Sequence, residues 1–83
     1  MFIEVSEARY FTGFKILIKF NNGVSKMVDL ENKLDGEIFK PLKNIDYFKT
    51  FSINFNTIGW DNGADLAPEY LYQIGKKVTQ DSL

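Results

Sequence analysis

Residues 14–20 read FKILIKF and residues 21–23 read NNG, and these two stretches decide how the fold begins. Apolar residues occupy every second position of the first stretch, with lysines at two positions between them, which predicts a strand with one apolar face. Asn-Gly suits a type I′ turn because both residues tolerate φ > 0. We therefore predict a tight antiparallel hairpin that returns over residues 24–30. Its register stays open, since Met27 and Val28 are both apolar.

Shorter elements surround this hairpin. Alternating or short apolar runs predict three further strands: Phe2–Tyr10, Phe51–Phe55 and Ile58–Trp60. Between residues 31 and 48 the apolar residues recur three or four positions apart, which predicts one or two short helical turns. Pro41 prevents a long regular helix there, and Asn44 is a candidate cap for a second turn.

A longer helix is predicted near the end of the sequence. Asp65 is its candidate N-cap, Pro68 falls in the first turn, where a missing N–H costs nothing, and Glu69 complements the positive end. The residues expected to form its buried stripe are Ala67, Leu71, Ile74 and Val78. The segment Gly75-Lys76-Lys77 is expected to end the helix or weaken its last turn, and the final polar residues of the sequence are expected to fray.

The order of these elements predicts the fold class. We expect an α+β domain with a mostly antiparallel sheet of four to five strands, short helices, and a C-terminal helix packed on one face. A chain of 83 residues is expected to form a single domain over residues 1–83. Eight Phe, four Tyr and one Trp supply the large buried areas that so short a chain needs.

The composition argues against several classes of function. The chain has no Cys and no His, which removes thiolate zinc sites, Cys nucleophiles and the commonest general base. Ten basic and eleven acidic residues give a net charge of −1, so no overall positive field attracts nucleic acid. No apolar stretch approaches the roughly 20 residues of a membrane span, and the first residues do not resemble a signal peptide. We expect a cytoplasmic protein with no cofactor and no membrane association.

The lysines of the first hairpin suggest nucleic-acid binding as a further possible function. Lys15, Lys19 and Lys26 have aromatic residues nearby in the sequence, as in platforms that bind single strands. The alternative is a solvated strand face whose lysines prevent aggregation of an edge. The net charge favours the second interpretation, so direct nucleic-acid binding is not expected.

Five residues before and within the C-terminal helix form the candidate binding site: Trp60, Asp61, Asn62, Asp65 and Tyr72. Trp and Tyr dominate the hot spots of protein interfaces, which favours a contact surface for another protein. The structural alternative is a strand-to-helix turn with Trp60 in the core and its indole N–H bonded to a nearby carbonyl.

Three acids in this segment, Asp61, Asp65 and Glu69, suggest a metal site or a catalytic pair as further alternatives. A calcium loop beginning at Asp61 would need Gly at its sixth position and Glu at its twelfth, where this chain has Leu66 and Tyr72. Carboxylates act as an acid and a base only where their surroundings separate their pKa values, and the sequence shows no sign of this. We predict no metal site and no catalytic residue.

Four segments carry a family resemblance: VDL at 28–30, FKPL at 39–42, Phe48, and WDNGADLAPEYLY at 60–72. Their order resembles a bacterial family, domain of unknown function 2442, whose pattern ends in W-x-x-G-A-D-L-A-P-E-x-L-Y. The pair Asp61-Asn62 departs from it, since members often have Pro before the Asn. The resemblance covers nearly the whole chain and implies an α+β fold with no assigned catalytic residue. It also implies small free-standing proteins, modules joined to helix-turn-helix domains, or partners in toxin–antitoxin-like gene pairs.

Three functional hypotheses follow. The first is a non-catalytic protein-interaction or regulatory module, an antitoxin-like partner of another small protein, with a sheet edge or the segment around Trp60 as the contact. A homodimer through an edge strand fits the same hypothesis. The second is a small-ligand-sensing module with a pocket between sheet and helix, lined by Asn62, Asp65 and Tyr72. The third is a carboxylate-dependent hydrolase, which needs a cleft and a shifted carboxylate.

Overall fold

The computed structural model describes residues 2–78. Its strands are β1 (Val5–Thr12), β2 (Lys15–Phe20), β3 (Ser25–Asp29), β4 (Ser52–Asn54), β5 (Thr57–Gly59) and β6 (Lys76–Lys77). Its helical segments are a 3₁₀ helix (Glu37–Lys43), α1 (Ile45–Phe48) and α2 (Pro68–Ile74). This composition of elements confirms the predicted α+β class.

Four of the strands form one antiparallel sheet in the order β1-β2-β3-β6, and β4 and β5 form a separate two-stranded sheet. The predicted hairpin is β2 and β3, in which Ile16 lies opposite Val28 and Leu17 opposite Met27. Ile16 and Val28 are fully buried. Because side chains alternate along a strand, Val28 faces the core and Met27 faces the other side of the sheet.

The core lies between one face of the four-stranded sheet and the helical segments. Its buried apolar residues are Val5, Ile16, Ile18, Phe20, Val28, Leu30, Leu34, Leu42, Phe48, Ile58, Trp60, Ala64, Leu66 and Leu71. Phe48 of α1 packs edge-to-face on Phe14, with ring centroids 5.1 Å apart. Leu71 of α2 is fully buried in the same core, so the C-terminal helix packs on one face of the sheet.

The segment between the two sheets has the predicted short helical turns. Pro41 lies inside the 3₁₀ helix, and the helical backbone ends at Asn44, which is extended. The Asn44 side chain then accepts a hydrogen bond from the Asp46 N–H at 2.9 Å, which caps α1. The sequence therefore identified both the interruption and the cap.

The prediction that Asp65 caps the C-terminal helix is wrong. Helix α2 begins at Pro68, and Ala67 occupies the N-cap position without a side-chain hydrogen bond. A residue before proline is disfavoured in the helical region, and Ala67 is extended with ψ 138°. Asp65 instead forms an isolated antiparallel bridge with Gly59, so the chain stays in β conformation until the proline.

The helix ends at Gly75, as one of the two expectations for that residue has it, but the predicted buried stripe is wrong at both ends. Helix α2 stops at Ile74, and Gly75 is extended at its C-cap, so Val78 lies beyond the helix and Ala67 is exposed before it. The next two residues pair with β3 as β6, because a backbone that leaves the helix here gains ladder hydrogen bonds. The first strand likewise starts at Val5 rather than Phe2. The predicted fraying concerns residues outside the described range.

Candidate functional site

The candidate site centres on a tight turn, residues 60–65, which we call the Trp60 loop. The Trp60 N–H donates to the Ala64 carbonyl oxygen at 2.8 Å, and the Gly63 N–H donates to the Trp60 carbonyl oxygen at 3.1 Å. Gly63 has φ 92°, a left-handed conformation that glycine adopts without a steric penalty. These bonds fix the backbone that presents Asp61 and Asn62.

Trp60 itself is part of the core. Its side chain is 4% exposed, and its indole N–H donates to the Phe48 carbonyl oxygen at 2.9 Å. The indole also contacts two phenyl rings, with centroids 5.8 Å away at Phe48 and 6.5 Å away at Phe51. The geometry matches the structural alternative given for this residue, a buried Trp whose N–H finds a backbone partner.

Asn62 ties the exposed turn to the 3₁₀ helix. Its Nδ2 donates to the Ile38 carbonyl oxygen at 3.0 Å, and its Oδ1 accepts from the Ala64 N–H at 3.0 Å. The Ile38 side chain is 46% exposed, and a Cβ placed on Gly63 would lie 3.8 Å from its Cδ1. The 3₁₀ helix therefore places an exposed apolar side chain beside the polar groups of the turn.

Asp61 ties the turn to α1. Its Oδ1 accepts a short hydrogen bond from the Tyr47 hydroxyl. This hydrogen bond, followed by desolvation and the charge of the carboxylate, raises the pKa of Tyr47 above its ordinary value of 10.0. Asp61, Asn62, Tyr47 and Ile38 thus form one contiguous patch at the protein surface, which we call the loop patch.

Tyr72 lies at a different place from the loop patch. Its hydroxyl accepts a hydrogen bond from Asn22 Nδ2 at 3.2 Å, and its ring packs edge-to-face on Phe20 with centroids 5.0 Å apart. Lys26 Nζ lies 3.7 Å from the centre of this ring and donates to the Tyr72 carbonyl oxygen at 2.6 Å. Tyr72 therefore fastens α2 to the first hairpin.

Asp65 and Glu69 are exposed, like Asp61. The backbone around them is held by Thr57, whose hydroxyl donates to the Leu66 carbonyl oxygen. Across residues 2–78, no group of three or more His, Cys, Asp or Glu side chains is placed to hold a metal ion. None of the described helices is long and apolar enough to cross a membrane.

The sequence analysis did not predict the contacts of three residues, Ile38, Tyr47 and Lys26. Ile38 and Tyr47 belong to the loop patch through partners 24 and 14 positions away, and no local pattern indicates such pairings. Lys26 was grouped with the solvated lysines of the hairpin, yet it lies on the same side of β3 as Val28. Its even spacing from Val28 was the signal that could have placed it there.

The fold and the site together define a small α+β domain whose most conspicuous motif is a turn tied into the core. The family model described as protein of unknown function (DUF2442) matches residues 5–77. The chain belongs to this family, as the resemblance indicated. No curated protein and no solved structure gives a significant match.

Proposed function

We propose that this chain is a non-catalytic protein-interaction module, the antitoxin-like or regulatory partner of another small bacterial protein, and that the loop patch is its contact surface. The observation that carries the proposal is a preorganised turn beside an exposed apolar side chain. Asp61 and Asn62 are held in place by hydrogen bonds to Tyr47 and Ile38. A partner that docks on a rigid turn loses little conformational entropy on binding.

The patch combines the groups that protein interfaces use. Ile38 offers apolar area, Tyr47 offers an aromatic ring with a hydroxyl, and Asp61 and Asn62 offer polar groups around them. In this proposal Trp60 and Tyr72 contribute indirectly, because one supports the turn from the core and the other positions α2. Asp65, exposed on the same loop, belongs to the rim.

Oligomeric state and location belong to the same proposal. Between the two edges of the four-stranded sheet, β1 suits a homodimer better, since β6 consists of two lysines, which oppose pairing with another chain. We place the partnership in the cytoplasm, where a chain without cysteine needs no disulfide.

The alternative, a small-ligand-sensing module, receives less support. It needs Asn62, Asp65 and Tyr72 to converge on one pocket between the sheet and α2. Asn62 is bonded to the 3₁₀ helix and Tyr72 to the first hairpin, and α2 packs there through the fully buried Leu71. The third hypothesis, a hydrolase, needs a carboxylate in a cleft, whereas Asp61 is exposed.

Affinity capture from a lysate of the native host tests the proposal. The wild-type chain is one bait. A second, the loop-patch bait, carries Ile38→Glu and Asp61→Arg, which remove the apolar side chain and reverse a charge in the loop patch. The control bait carries Ile53→Glu and Glu31→Arg, the same types of change at exposed positions elsewhere. Each variant is first checked for a wild-type circular dichroism spectrum.

The expected result is one protein that wild type and the control bait retain and the loop-patch bait loses. If both variants retain that protein, the contact lies on a surface other than the loop patch. Enrichment of no protein by any bait would favour the small-ligand alternative, and a screen of metabolites by thermal shift would follow.

A further inference from the structure

The sheet carries a second surface, on the side away from the helices, that the loop patch does not use. Side chains alternate across the sheet, so the residues opposite the buried ones share this outer face. Directly paired residues form one row across all four strands: Arg9, Leu17, Met27 and Lys76. Leu17 and Met27 are half-buried, and the two basic residues at the ends of the row are exposed.

Two further rows flank this one. The first contains Glu7, Lys19 and Ser25, and the second contains Thr12, Lys15 and Asp29. The Lys19 Nζ lies 3.8 Å from a carboxylate oxygen of Glu7, and both side chains are more than half exposed, so this pair is weak. The outer face thus has an apolar centre and a mainly basic rim.

Charge is divided unequally between the sheet and the rest of the fold. Residues 5–29 and 76–77, the four-stranded sheet with its turns, carry six basic and two acidic side chains. The other described residues carry four basic and eight acidic side chains. A net charge of −1 therefore conceals a positive four-stranded sheet and a negative remainder of the fold, to which the helical side belongs.

Two adjoining depressions follow the outer face across the strands. One, of about 160 Å³, lies over β1 and β2 and includes Arg9 and Leu17. The other, of about 470 Å³, lies beside the β2–β3 turn and the end of β6 and includes Asn22, Gly23 and Lys77. They share three lining residues: Glu7, Lys19 and Ser25. Both depressions are open at the surface and not enclosed, and this shape suits an extended chain better than a compact small molecule.

We propose that this outer face binds an acidic, extended segment of a partner protein. Charge complementarity selects acidic groups for the rim at Arg9, Lys19 and Lys76. The apolar centre at Leu17 and Met27 selects alternating apolar side chains, since protein interfaces have apolar centres with polar rims. This inference shares with the proposed function only the kind of partner, a protein, and it concerns a separate surface.

A protein segment fits this face better than a nucleic acid. Glu7 and Asp29 interrupt the basic rows, so this face offers separate basic groups, to which spaced carboxylates can be matched, and not the continuous basic track that a phosphate backbone needs. The central positions of the face are aliphatic, at Leu17 and Met27, whereas single-stranded nucleic acid stacks on aromatic side chains.

Chemical-shift mapping on the isotope-labelled full chain tests the inference. The probe is a short capped peptide of alternating Glu and Leu, and the comparison probes are a peptide of alternating Lys and Leu and an oligothymidine strand. We expect the acidic peptide to shift the amide signals of the central row, Arg9, Leu17, Met27 and Lys76. Its affinity should fall as salt rises, because the rim charges are exposed.

Two charge-reversal variants make the result specific. Arg9→Glu with Lys76→Glu should weaken binding of the acidic peptide by about tenfold or more. Lys40→Glu with Lys43→Glu changes the net charge by the same amount on the helical side and should leave the affinity within about twofold. Each variant must retain the wild-type pattern of core methyl signals.

Several outcomes would overturn the inference. These are equal binding of the basic peptide, shifts confined to the loop patch, tighter binding of oligothymidine on the same rows, or concentration-dependent shifts of Leu17 and Met27, away from the β1 edge, without a probe. The last would identify a second copy of the chain as the occupant. Because the loop patch is intact in every variant, failure here leaves the capture experiment unaffected.

Discussion

The indole N–H of Trp60 donates to the carbonyl oxygen of Phe48 at 2.9 Å, and this buried bond ties the turn before α2 to the last residue of α1. The two residues are 12 positions apart. The bond connects the family motif to the helical segment, so Trp60 acts on the fold and affects a partner only by supporting the turn that carries Asp61 and Asn62.

Substitution Trp60→Phe tests this connection. It removes the donor, leaves the Phe48 carbonyl without this partner and opens space in the core. We expect the free energy of unfolding to fall by about 2–4 kcal/mol. Urea denaturation followed by circular dichroism measures it, because the variant lacks the Trp fluorophore. Ile53→Thr, at an exposed strand position, is the control and should change stability by about 0.5 kcal/mol or less. An equally small effect of Trp60→Phe would contradict the connection.

Lys26 joins the first hairpin to the end of α2. Its Nζ donates to the Tyr72 carbonyl oxygen and lies over the Tyr72 ring. Lys26→Met keeps the aliphatic stem and removes both interactions, so we expect a loss of about 1–2 kcal/mol in thermal or chemical unfolding. Lys19→Met on the exposed face is the matched control, with an expected change of about 0.5 kcal/mol or less. Equal effects of the two substitutions would refute a specific role for Lys26.

Gly75 allows α2 and β3 to approach closely. A Cβ at this position would lie 2.8 Å from Lys26 Cβ and 3.0 Å from the Leu71 carbonyl oxygen. We expect Gly75→Ala to destabilise the protein by about 1–3 kcal/mol, since the backbone must shift to relieve the contact. Hydrogen exchange at β6 should accelerate in the same variant, because β6 directly follows Gly75. Unchanged exchange there would show that the chain accommodates the methyl group.

Phe55 occupies an unfavourable turn position. It has φ 52°, the following residue Asn56 has φ 66°, and the Phe55 side chain is 98% exposed. A bulky residue in the left-handed region is strained, and burial gives it no compensation here. Phe55→Asn should therefore raise the free energy of unfolding by about 0.5–1 kcal/mol. If urea denaturation instead shows a lower free energy of unfolding for the variant, the phenyl ring packs against the protein in solution.

The hydroxyl of Tyr47 provides a pH-dependent test of the loop patch. Its hydrogen bond to Asp61 raises its pKa above the ordinary value of 10.0. A group with a raised folded pKa contributes stability that is fully present below the unfolded pKa of about 10 and is lost as the pH rises through the folded value. Asp61→Asn should lower the midpoint for Tyr47 toward 10.0, measured by the NMR shift of its ring ζ carbon. Identical midpoints in the two proteins would show that the bond does not form in solution.

Local patterns predicted the elements whose causes are local. The alternation of residues 14–20 predicted the β2–β3 hairpin, but the predicted type I′ turn is wrong, because Gly23 has φ 85° whereas Asn22 does not have a positive φ. Asn44 was identified as a cap because capping involves the next few residues. Asp65 was misassigned because its pairing with Gly59 and the effect of Pro68 on the preceding residue outweighed its capping preference.

The candidate site depended more on distant contacts. The sequence was compatible with Trp60 as a core residue and with Trp60 as an exposed binding residue. Which of the two occurs depends on where the fold places Phe48. Tyr72 was grouped with the loop by proximity in sequence, yet its hydroxyl contacts Asn22, 50 positions away. Lys26 could be assigned to a face of the sheet only once the hairpin register was known. The sequence left this register open, because Met27 and Val28 are both apolar.

The unequal division of charge between sheet and helical side makes this protein an electric dipole with almost no net charge. Such a molecule can orient either its positive or its negative side toward a charged resin. At neutral pH and low salt it should therefore be retained on both cation- and anion-exchange resins. A chain with a net charge of −1 spread evenly over its surface would pass through a cation exchanger.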